Sequence, residues 1–317
     1  MFLASFTKDV SVFKQAIGII LLLTIGITAL VFKRQHYRLL FNQSFDTYIT
    51  TASTLAKEKG NDNVYSLFKG EAWFLKFYQK KHNATIHYEA VEGEAKKLTD
   101  YKNLYDTLKA NYLLMGDYNP TQLLQASQYF PYVQKKTTGY TYELYTLSKE
   151  KTVQNLESEK TLFTKTDFNT IPQGFNVNIN LISKEKDKSI YIIDSLNEYP
   201  LSYKIKNTEL KVKEGQWVIA ELHIKTTKEI KGLLCASTDA LGKNIHFTGS
   251  ELEAFYIPNK QEQIVYLSVY VASKFNAPDN EITFFVWNQQ KQNFTVSSFF
   301  IYTWNNNPSR YGLLNDF

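Results

Sequence analysis

Two pairs of residues stand where ligand sites form in open α/β sheets. Gly70 and Glu71 directly follow one predicted strand, and Gly116 and Asp117 lie near the end of another. In such sheets, ligands bind beyond the carboxyl ends of the strands. The single glycine of each pair does not make the GxGxxG loop that cradles a phosphate. A tight turn with an acid near a helix N-terminus explains the same residues, so both interpretations stay open.

Aromatic side chains point to a second kind of chemistry, the stacking of sugar rings. Trp287 and Trp304 lie in predicted strands of the C-terminal half, which also contains many tyrosines. Sugars stack on exposed aromatic faces, so both tryptophans are candidate binding platforms. Aromatic residues in strands more often pack in the core or against a neighbouring strand. The fold must decide between these interpretations.

Residues for catalysis or metal binding form no recognisable set. The five histidines, at positions 36, 82, 87, 223 and 246, include no pair at metal-ligand spacing. Cys235 is the one cysteine, which excludes an internal disulfide and a cysteine zinc site. Glu251 and Glu253 could share one face of a strand, but a solvated face explains them equally well, and no GxSxG motif occurs. We therefore expect no cofactor, no metal site and no catalytic residue in this chain.

Short strands would position the two tryptophans. Beyond residue 160 the helical period disappears, and turn signals such as LGKN and NAPDN separate apolar runs of strand length. The runs are FNVNINLIS, SIYIID, LSYKIK, QWVIAELHIK, IKGLLCAS, QIVYLSVYVA, EITFFVW and FTVSSFFIYTW. Several alternate strictly, as at Val265, Leu267 and Val269. Regular short strands without helices predict an antiparallel β-sandwich of jelly-roll type over residues 161–317.

The segment before the sandwich alternates strands with helices. Strands are predicted at 63–68, 85–91 and 111–118, and helices at 70–81, at 99–110 and from Pro120 onward. Such helices between strands require crossover connections, and hence a small parallel sheet. A hairpin turning at Thr137 to Gly139 follows. The prediction is an emergent amphipathic helix and a small parallel α/β domain over residues 35–150, with a polar linker at 151–160.

An apolar stretch at residues 16–32 predicts a membrane anchor. Its 17 residues carry no charge, which is the lower limit for crossing a hydrocarbon core of about 30 Å. Lys33 and Arg34 follow directly, in place of the small residues of a cleavage site. Residues 1–34 are therefore expected to hold an uncleaved transmembrane helix, with the lipid bilayer as a partner. The basic flank taken alone would place the large C-terminal part in the cytoplasm.

The net charge of +5 does not indicate a nucleic-acid partner. Lysine pairs such as Lys80-Lys81 and Lys135-Lys136 are dispersed along the chain among acids. A nucleic-acid-binding protein concentrates its basic residues on one face, and no RRM or zinc-knuckle signature accompanies them. We expect these lysines to form solvated surface and predict no nucleic-acid partner.

Several segments together carry a resemblance to a known group of enzymes. They are AKEKGNDNVYSLF, AWFLKFYQKK, NYLLMGDY and GYTYELYTLSKE. In this order after a membrane helix, they resemble the extracytoplasmic C-terminal region of bacterial polytopic GT-C type glycosyltransferases. These enzymes use polyprenyl-phosphate sugars and include aminoarabinose and protein mannosyl transferases. The sandwich, with FTGSELEAFY and VWNQQKQNFTVSSFFIY, is similar to jelly-roll tails on such proteins in Bacteroidetes-like bacteria.

The resemblance implies that the helix at 16–32 is the last span of a membrane enzyme, with the rest of the chain on the extracytoplasmic, periplasmic side. In that family the catalytic acid lies in the first extracytoplasmic loop, which has no counterpart here. The resemblance thus implies a non-catalytic accessory region beside a polytopic membrane subunit. The alternative is a stand-alone membrane-anchored carbohydrate-binding or cell-envelope scaffold protein whose sandwich recognises a glycan. A membrane-tethered hydrolase is a third hypothesis, for which no acid pair or nucleophile stands out.

Overall fold

The computed structural model describes residues 23–29, 63–66, 81, 87–90, 112–116, 120–128, 132–138, 142–148, 160–210, 212, 216–271, 277 and 279–304. The strands are β1 (Asn63–Ser66), β2 (His87–Ala90), β3 (Tyr112–Gly116), β4 (Tyr132–Thr138), β5 (Tyr142–Ser148), β6 (Lys160–Thr166), β7 (Phe175–Val177), β8 (Ile182–Glu185), β9 (Lys188–Ile193), β10 (Leu201–Lys206), β11 (Trp217–Lys225), β12 (Leu233–Ala240), β13 (Lys243–Glu251), β14 (Glu262–Tyr270), β15 (Glu281–Trp287) and β16 (Phe294–Trp304). Helix α1 is Pro120–Ser127, helix α2 is Asn207–Leu210, and 3-10 helices lie at Ile179–Leu181 and Leu252–Phe255.

Two antiparallel sheets form a β-sandwich in the C-terminal half, as predicted. One, which we call the front sheet, has the strand order β13-β12-β15-β10-β7. The other, the back sheet, has the order β14-β11-β16-β9-β8, and β6 also pairs with β16. From β9 to β16 the chain passes between the two sheets at every connection except the β12–β13 hairpin. The resulting orders, 9-16-11-14 and 10-15-12-13, are those of an eight-stranded jelly roll.

The core lies between the two sheets and follows from strand alternation. On β15, Ile282, Phe284 and Val286 point inward and are at most 1% exposed, whereas the residues between them are only partly buried. This is the period-2 pattern of a strand with one face in the core. Inward residues of both sheets join a single buried cluster. The same alternation therefore fixes which side chains of the front sheet point outward.

Helix α1 covers part of the outer face of the back sheet. Its Leu124 is fully buried and belongs to the same cluster as the sandwich core. The Thr121 hydroxyl lies 2.7 Å from the Ser268 hydroxyl on β14, and Gln125 Nε2 donates to the Ala254 carbonyl at 3.1 Å. Residues 218–222 of the central strand β11 are accordingly buried on both faces, although Glu221 is among them.

The N-terminal strands form a third, mixed sheet with the order β2-β1-β3-β5-β4. β1 is parallel to β2 and to β3, and the β4–β5 hairpin is antiparallel. The helices predicted at 70–81 and 99–110 lie outside the described residues apart from Lys81, which is helical. The α/β domain as a whole therefore stays a prediction.

No helix within the described ranges has the length and apolarity needed to cross a bilayer. Residues 23–29 are helical, and the remainder of the predicted anchor at 16–32 lies outside those ranges. The transmembrane helix stays a prediction as well. Of the predicted linker at 151–160, the structure describes Lys160, which already belongs to β6.

Three details of the sandwich differ from the sequence prediction, and the first is that β6 has no counterpart among the predicted strands. The run FNVNINLIS is not one strand, because the side chain of Asn178 caps a 3-10 helix that separates β7 from β8. β13 has no predicted counterpart and forms a hairpin with β12. The turn between them has positive φ at Leu241 and Gly242, the backbone that a two-residue hairpin requires.

Candidate functional site

Four aromatic rings lie together on the outer face of the front sheet. They are Tyr199, Phe247, Phe285 and Trp287, which we call the aromatic surface. Tyr199 is 58% exposed and Phe247 is 49% exposed, while Phe285 and Trp287 are half-buried. Large aromatic side chains normally lose such exposure on folding, so a group of them on one open face marks an interaction site.

The rings of the aromatic surface contact one another in sequence. Tyr199 stacks on Trp287 with ring centroids 6.0 Å apart, and its edge meets Phe285 at 5.8 Å. Phe247 lies 6.3 Å from Phe285 and is tilted relative to it. These separations are typical of favourable aromatic pairs, so the neighbours hold each ring in place. The surface therefore runs from Trp287 across the sheet to Phe247.

Strand register brings the rings together. Phe285 and Trp287 lie two residues apart on β15 and therefore on one face. Cys235 on β12 is the partner of Phe285 on one side and of Gly249 on the other, so the row beside the Phe285 ring holds small residues. Phe247 lies on β13 two residues before Gly249, on the same face and opposite Ser237.

Tyr199 comes from the loop before β10, which is tied to the loop after β15. Glu198 Oε1 accepts a hydrogen bond from the Trp287 indole N–H at 2.9 Å, and the Glu198 carbonyl accepts from the Asn288 N–H at 2.8 Å. The fully buried Asn288 side chain donates in turn to the Asp194 carbonyl at 3.2 Å. These bonds orient the indole and the loop before any ligand arrives, which lowers the entropic cost of binding.

The Tyr199 phenol and the Cys235 thiol stay neutral at physiological pH. Partial desolvation, followed by the negative charge of Glu198, raises the pKa of the Tyr199 phenol above its ordinary value of 10.0. Burial raises the pKa of the Cys235 thiol to about 12. The Tyr199 hydroxyl therefore remains a hydrogen-bond donor, and Cys235 is a small apolar neighbour instead of a nucleophile.

Polar groups border the rings. Ser237 and Thr283 pair with each other across β12 and β15, one row from Phe285. Asp239 follows on the same face and accepts from Asn244 Nδ2 at 3.4 Å. Flat apolar faces beside hydroxyl and carboxylate groups can hold a molecule that is apolar on one side and rich in hydroxyls at its rim.

The structure separates the two predicted tryptophans. Trp287 belongs to the aromatic surface. Trp304 points to the outer side of the back sheet, like its strand partner Trp217, but it is only 1% exposed and belongs to the buried cluster. The structure therefore leaves Trp304 no exposed ring face on which a ligand could stack.

The structure describes only some of the other candidate residues. Gly70, Glu71 and Asp117 lie outside the described residues, and Gly116 is the last residue of β3. Glu251 and Glu253 do not share a strand face, because β13 ends at Glu251 and Glu253 lies in a 3-10 helix. In the described part of the chain, no three His, Cys, Asp or Glu side chains are grouped as metal ligands.

Four residues of this surface were not identified from the sequence, and they are Glu198, Tyr199, Phe247 and Phe285. The spacing of Phe285 and Trp287 could have indicated Phe285, since both occupy the same face of one strand. Tyr199 and Glu198 lie in a loop, and Phe247 lies on β13, which sequence did not predict. No local sequence pattern indicates that Glu198, Tyr199 or Phe247 belongs to a site.

A polar cluster lies on the outer face of the back sheet. Glu221 accepts a hydrogen bond from Lys160 Nζ at 3.0 Å, and its other oxygen lies 2.8 Å from His223 Nε2. Burial acts to raise the pKa of Glu221, but the hydrogen bond with His223 and the charge of Lys160 outweigh burial and the pKa is lowered. The side chains of Lys160 and Glu221 are almost fully buried, so the loss of either partner would leave an uncompensated buried charge.

A charged cleft of about 840 Å³ lies near that cluster. Lysines and acids alternate along it, and Lys225 donates to Glu185 at 2.6 Å. The lining residues that the structure describes include no aromatic side chain. The cleft therefore lacks the apolar faces that the front sheet offers.

No protein-family model matches the sequence, and no curated protein matches it. Among solved structures, the chain is similar to the CBM22-1 xylan-binding domain of Xyn10C from Paenibacillus barcinonensis, with 9% identity and a TM-score of 0.29, covering 47% of this chain and 97% of that one. It is similar to TmCBM27, a carbohydrate-binding module described for mannan recognition, with 11% identity, a TM-score of 0.29, and coverage of 47% and 99%. A third is a CBM4 structure, with 8% identity, a TM-score of 0.23, and coverage of 38% and 82%. Likeness at this level assigns neither a family nor a ligand.

Proposed function

We propose that this protein is a membrane-anchored carbohydrate-binding protein that holds a glycan on the aromatic surface of its front sheet. The observation that carries the proposal is the set of four contacting rings with exposed faces. Leaving Tyr199 and Phe247 in water gives up burial that folding would otherwise gain. A ligand that covers these faces recovers part of that free energy.

A sugar chain fits this surface better than a folded protein partner does. A pyranose ring has C–H groups on its faces, which pack on aromatic rings, and hydroxyls at its rim, which need hydrogen-bond partners. Ser237, Thr283 and Asp239 offer such partners next to the rings. A stable protein interface covers about 800 Å² per partner and is anchored by apolar side chains that insert into pockets. Here the rings form a row across the sheet that is bordered by polar groups.

Affinity electrophoresis of the full-length protein in gels containing soluble polysaccharides tests the proposal. Tyr199→Ala and Phe247→Ala are each expected to weaken binding about 10-fold, because each removes one exposed ring face. Phe163→Ala is the matched control, since Phe163 is 36% exposed on β6, away from the front sheet. Equal losses for Phe163→Ala and Phe247→Ala, or no retardation by any polysaccharide, would contradict the proposal.

The proposed membrane anchor and the side of the membrane on which the sandwich lies are argued from the sequence. We propose that residues 16–32 anchor it in the membrane with the sandwich on the extracytoplasmic side, where envelope glycans are present. Its place as the non-catalytic tail of a GT-C type transferase, beside a polytopic membrane subunit, stays a second hypothesis that rests on the resemblance alone.

Membrane fractionation with and without residues 16–32 tests the anchor. The full-length protein is expected to stay in the pellet after carbonate washing, whereas a variant lacking 16–32 is expected in the supernatant. Protease added to intact spheroplasts should digest the sandwich if it is extracytoplasmic. Protection of the sandwich until the cells are lysed would place it in the cytoplasm.

A further inference from the structure

Carboxylates lie on several sides of the aromatic surface. Glu198 contacts the Trp287 indole directly at 2.9 Å. Glu251 is exposed at the sheet edge in the row of Trp287, with Leu233 between them. Asp239 continues the outward face of β12 beyond Ser237, the strand partner of Phe247. The rings are therefore bordered by negative charge at the Trp287 end and at the Phe247 end.

Two lysines of β10 lie on the same face as the rings, and the nearer one is neutralised by an acid. Lys204 on β10 faces outward opposite Thr283, and its ammonium group forms an ion pair with Glu281. Lys206 is exposed at the next outward position of β10, opposite Glu281 and three rows from Trp287. Lys204 therefore lies in the cross-strand row of Phe247 but is neutralised by Glu281, and Lys206 lies one row farther from Phe285.

This charge pattern acts on the ligand through repulsion. Three carboxylates lie around a surface about two strand spacings wide, and the screening length at physiological salt is about 8 Å. A glycan carrying carboxylate or sulfate groups would bring like charges within that range, and a built-in repulsive element is an effective source of specificity. Uncharged hydroxyls face no such penalty, and amine groups are attracted.

We infer that the aromatic surface selects uncharged or amine-bearing glycans and excludes uronic-acid and sulfated ones. The inference rests on the proposed carbohydrate-binding function and adds the substrate class. It assigns Glu198, Glu251 and Asp239 a role in specificity, besides the role of Glu198 in orienting the indole.

Matched polymers test the inference separately from the proposed function. Pullulan, glucomannan and xyloglucan are each compared with the same polymer oxidised at C6 to the uronate, using the full-length protein at low salt. Retarded migration is expected with at least one neutral polymer, and at least about 10-fold weaker binding with its oxidised form. The difference should shrink at about 0.3 M salt, where the screening length is roughly halved.

The outcomes separate the two claims. If a neutral polymer and its oxidised form bind equally, or the oxidised form binds more tightly, the charge selection is wrong while carbohydrate binding stands. If no neutral polymer and no oxidised polymer binds, the proposed function fails and the inference fails with it.

Charge variants identify the groups responsible. The single variant Glu251→Gln is expected to recover at least about 2-fold of the affinity for the oxidised polymer and to leave neutral binding within about 2-fold. Glu229→Gln, at an exposed loop position between β11 and β12, makes a similar change in net charge away from the surface and should recover nothing. Equal recovery by both variants would mean that overall charge, not the Glu251 carboxylate, governs selection.

Discussion

Trp287→Ala is expected to lower glycan affinity about 30-fold, or about 2 kcal/mol, while changing the free energy of unfolding by less than about 1 kcal/mol. The indole is half-buried, stacks on Tyr199, and is held by Glu198, so it offers a rigid face that a sugar can cover. Rigid aromatic side chains of this kind dominate the energy of binding sites. Binding is measured by affinity electrophoresis and stability by urea denaturation.

Trp304→Ala is the matched control, because the same substitution falls on a ring that is 1% exposed. It is expected to destabilise the fold by about 3–5 kcal/mol, since a large buried ring leaves a cavity. Trp287→Phe keeps an aromatic face but loses the hydrogen bond to Glu198, and should retain most of the affinity. If Trp287→Ala bound glycan as tightly as the original protein does, the indole would not be part of the binding site.

Lys160→Met is expected to destabilise the protein by about 3–5 kcal/mol, because it leaves the buried Glu221 carboxylate without its main countercharge. The side chains of Lys160 and Glu221 are 3% and 8% exposed, and the two charged groups are 3.0 Å apart. The Lys160 ammonium also lies 4.7 Å from the centre of the Tyr302 ring. Urea denaturation of the variant measures the loss.

Two further variants separate the ion pair from general effects. Adding Glu221→Gln to Lys160→Met removes the uncompensated charge and should restore more than half of the lost stability. Lys204→Met breaks an ion pair whose lysine is 55% exposed and should cost less than about 1 kcal/mol. A loss of similar size in Lys160→Met and Lys204→Met would show that burial does not strengthen the first pair.

The pH dependence of stability has a defined sign for this pair. The pKa of Glu221 is lowered from its ordinary value of 4.5, so its stabilising contribution is complete above pH 4.5 and is lost as the pH falls through the lower, folded-state pKa. In Lys160→Met, burial is no longer opposed by the lysine, and protonation relieves the buried charge. The stability deficit of Lys160→Met should therefore narrow as the pH is lowered toward 4. A deficit that stays constant would mean that Glu221 is not the group left uncompensated.

Much of the sandwich could be predicted because one face of each inner strand is buried. The runs that became β14 and β15 alternate as the core requires, and β11 is recognisable by its buried apolar residues at every second position from Val218 to Ile224. β13 was not predicted because it lies at the edge of the front sheet and its large apolar residues, Ile245 and Phe247, lie on the exposed face and not in the core. Edge strands are specified by their neighbour and their turn more than by their own pattern.

The candidate site, too, could be predicted only as far as local sequence properties allow. Sequence identified Trp287 and Trp304 as equal candidates, because residue type and strand position are local properties. Both point away from the sandwich interior, and only packing on the back sheet buries Trp304 while the front face stays open. The partners of Trp287 come from a loop and from an edge strand, brought together by sheet register. Sequence alone thus determined the sandwich and one of its rings, whereas the tertiary structure decided which face is open and which residues, far apart in the chain, share it.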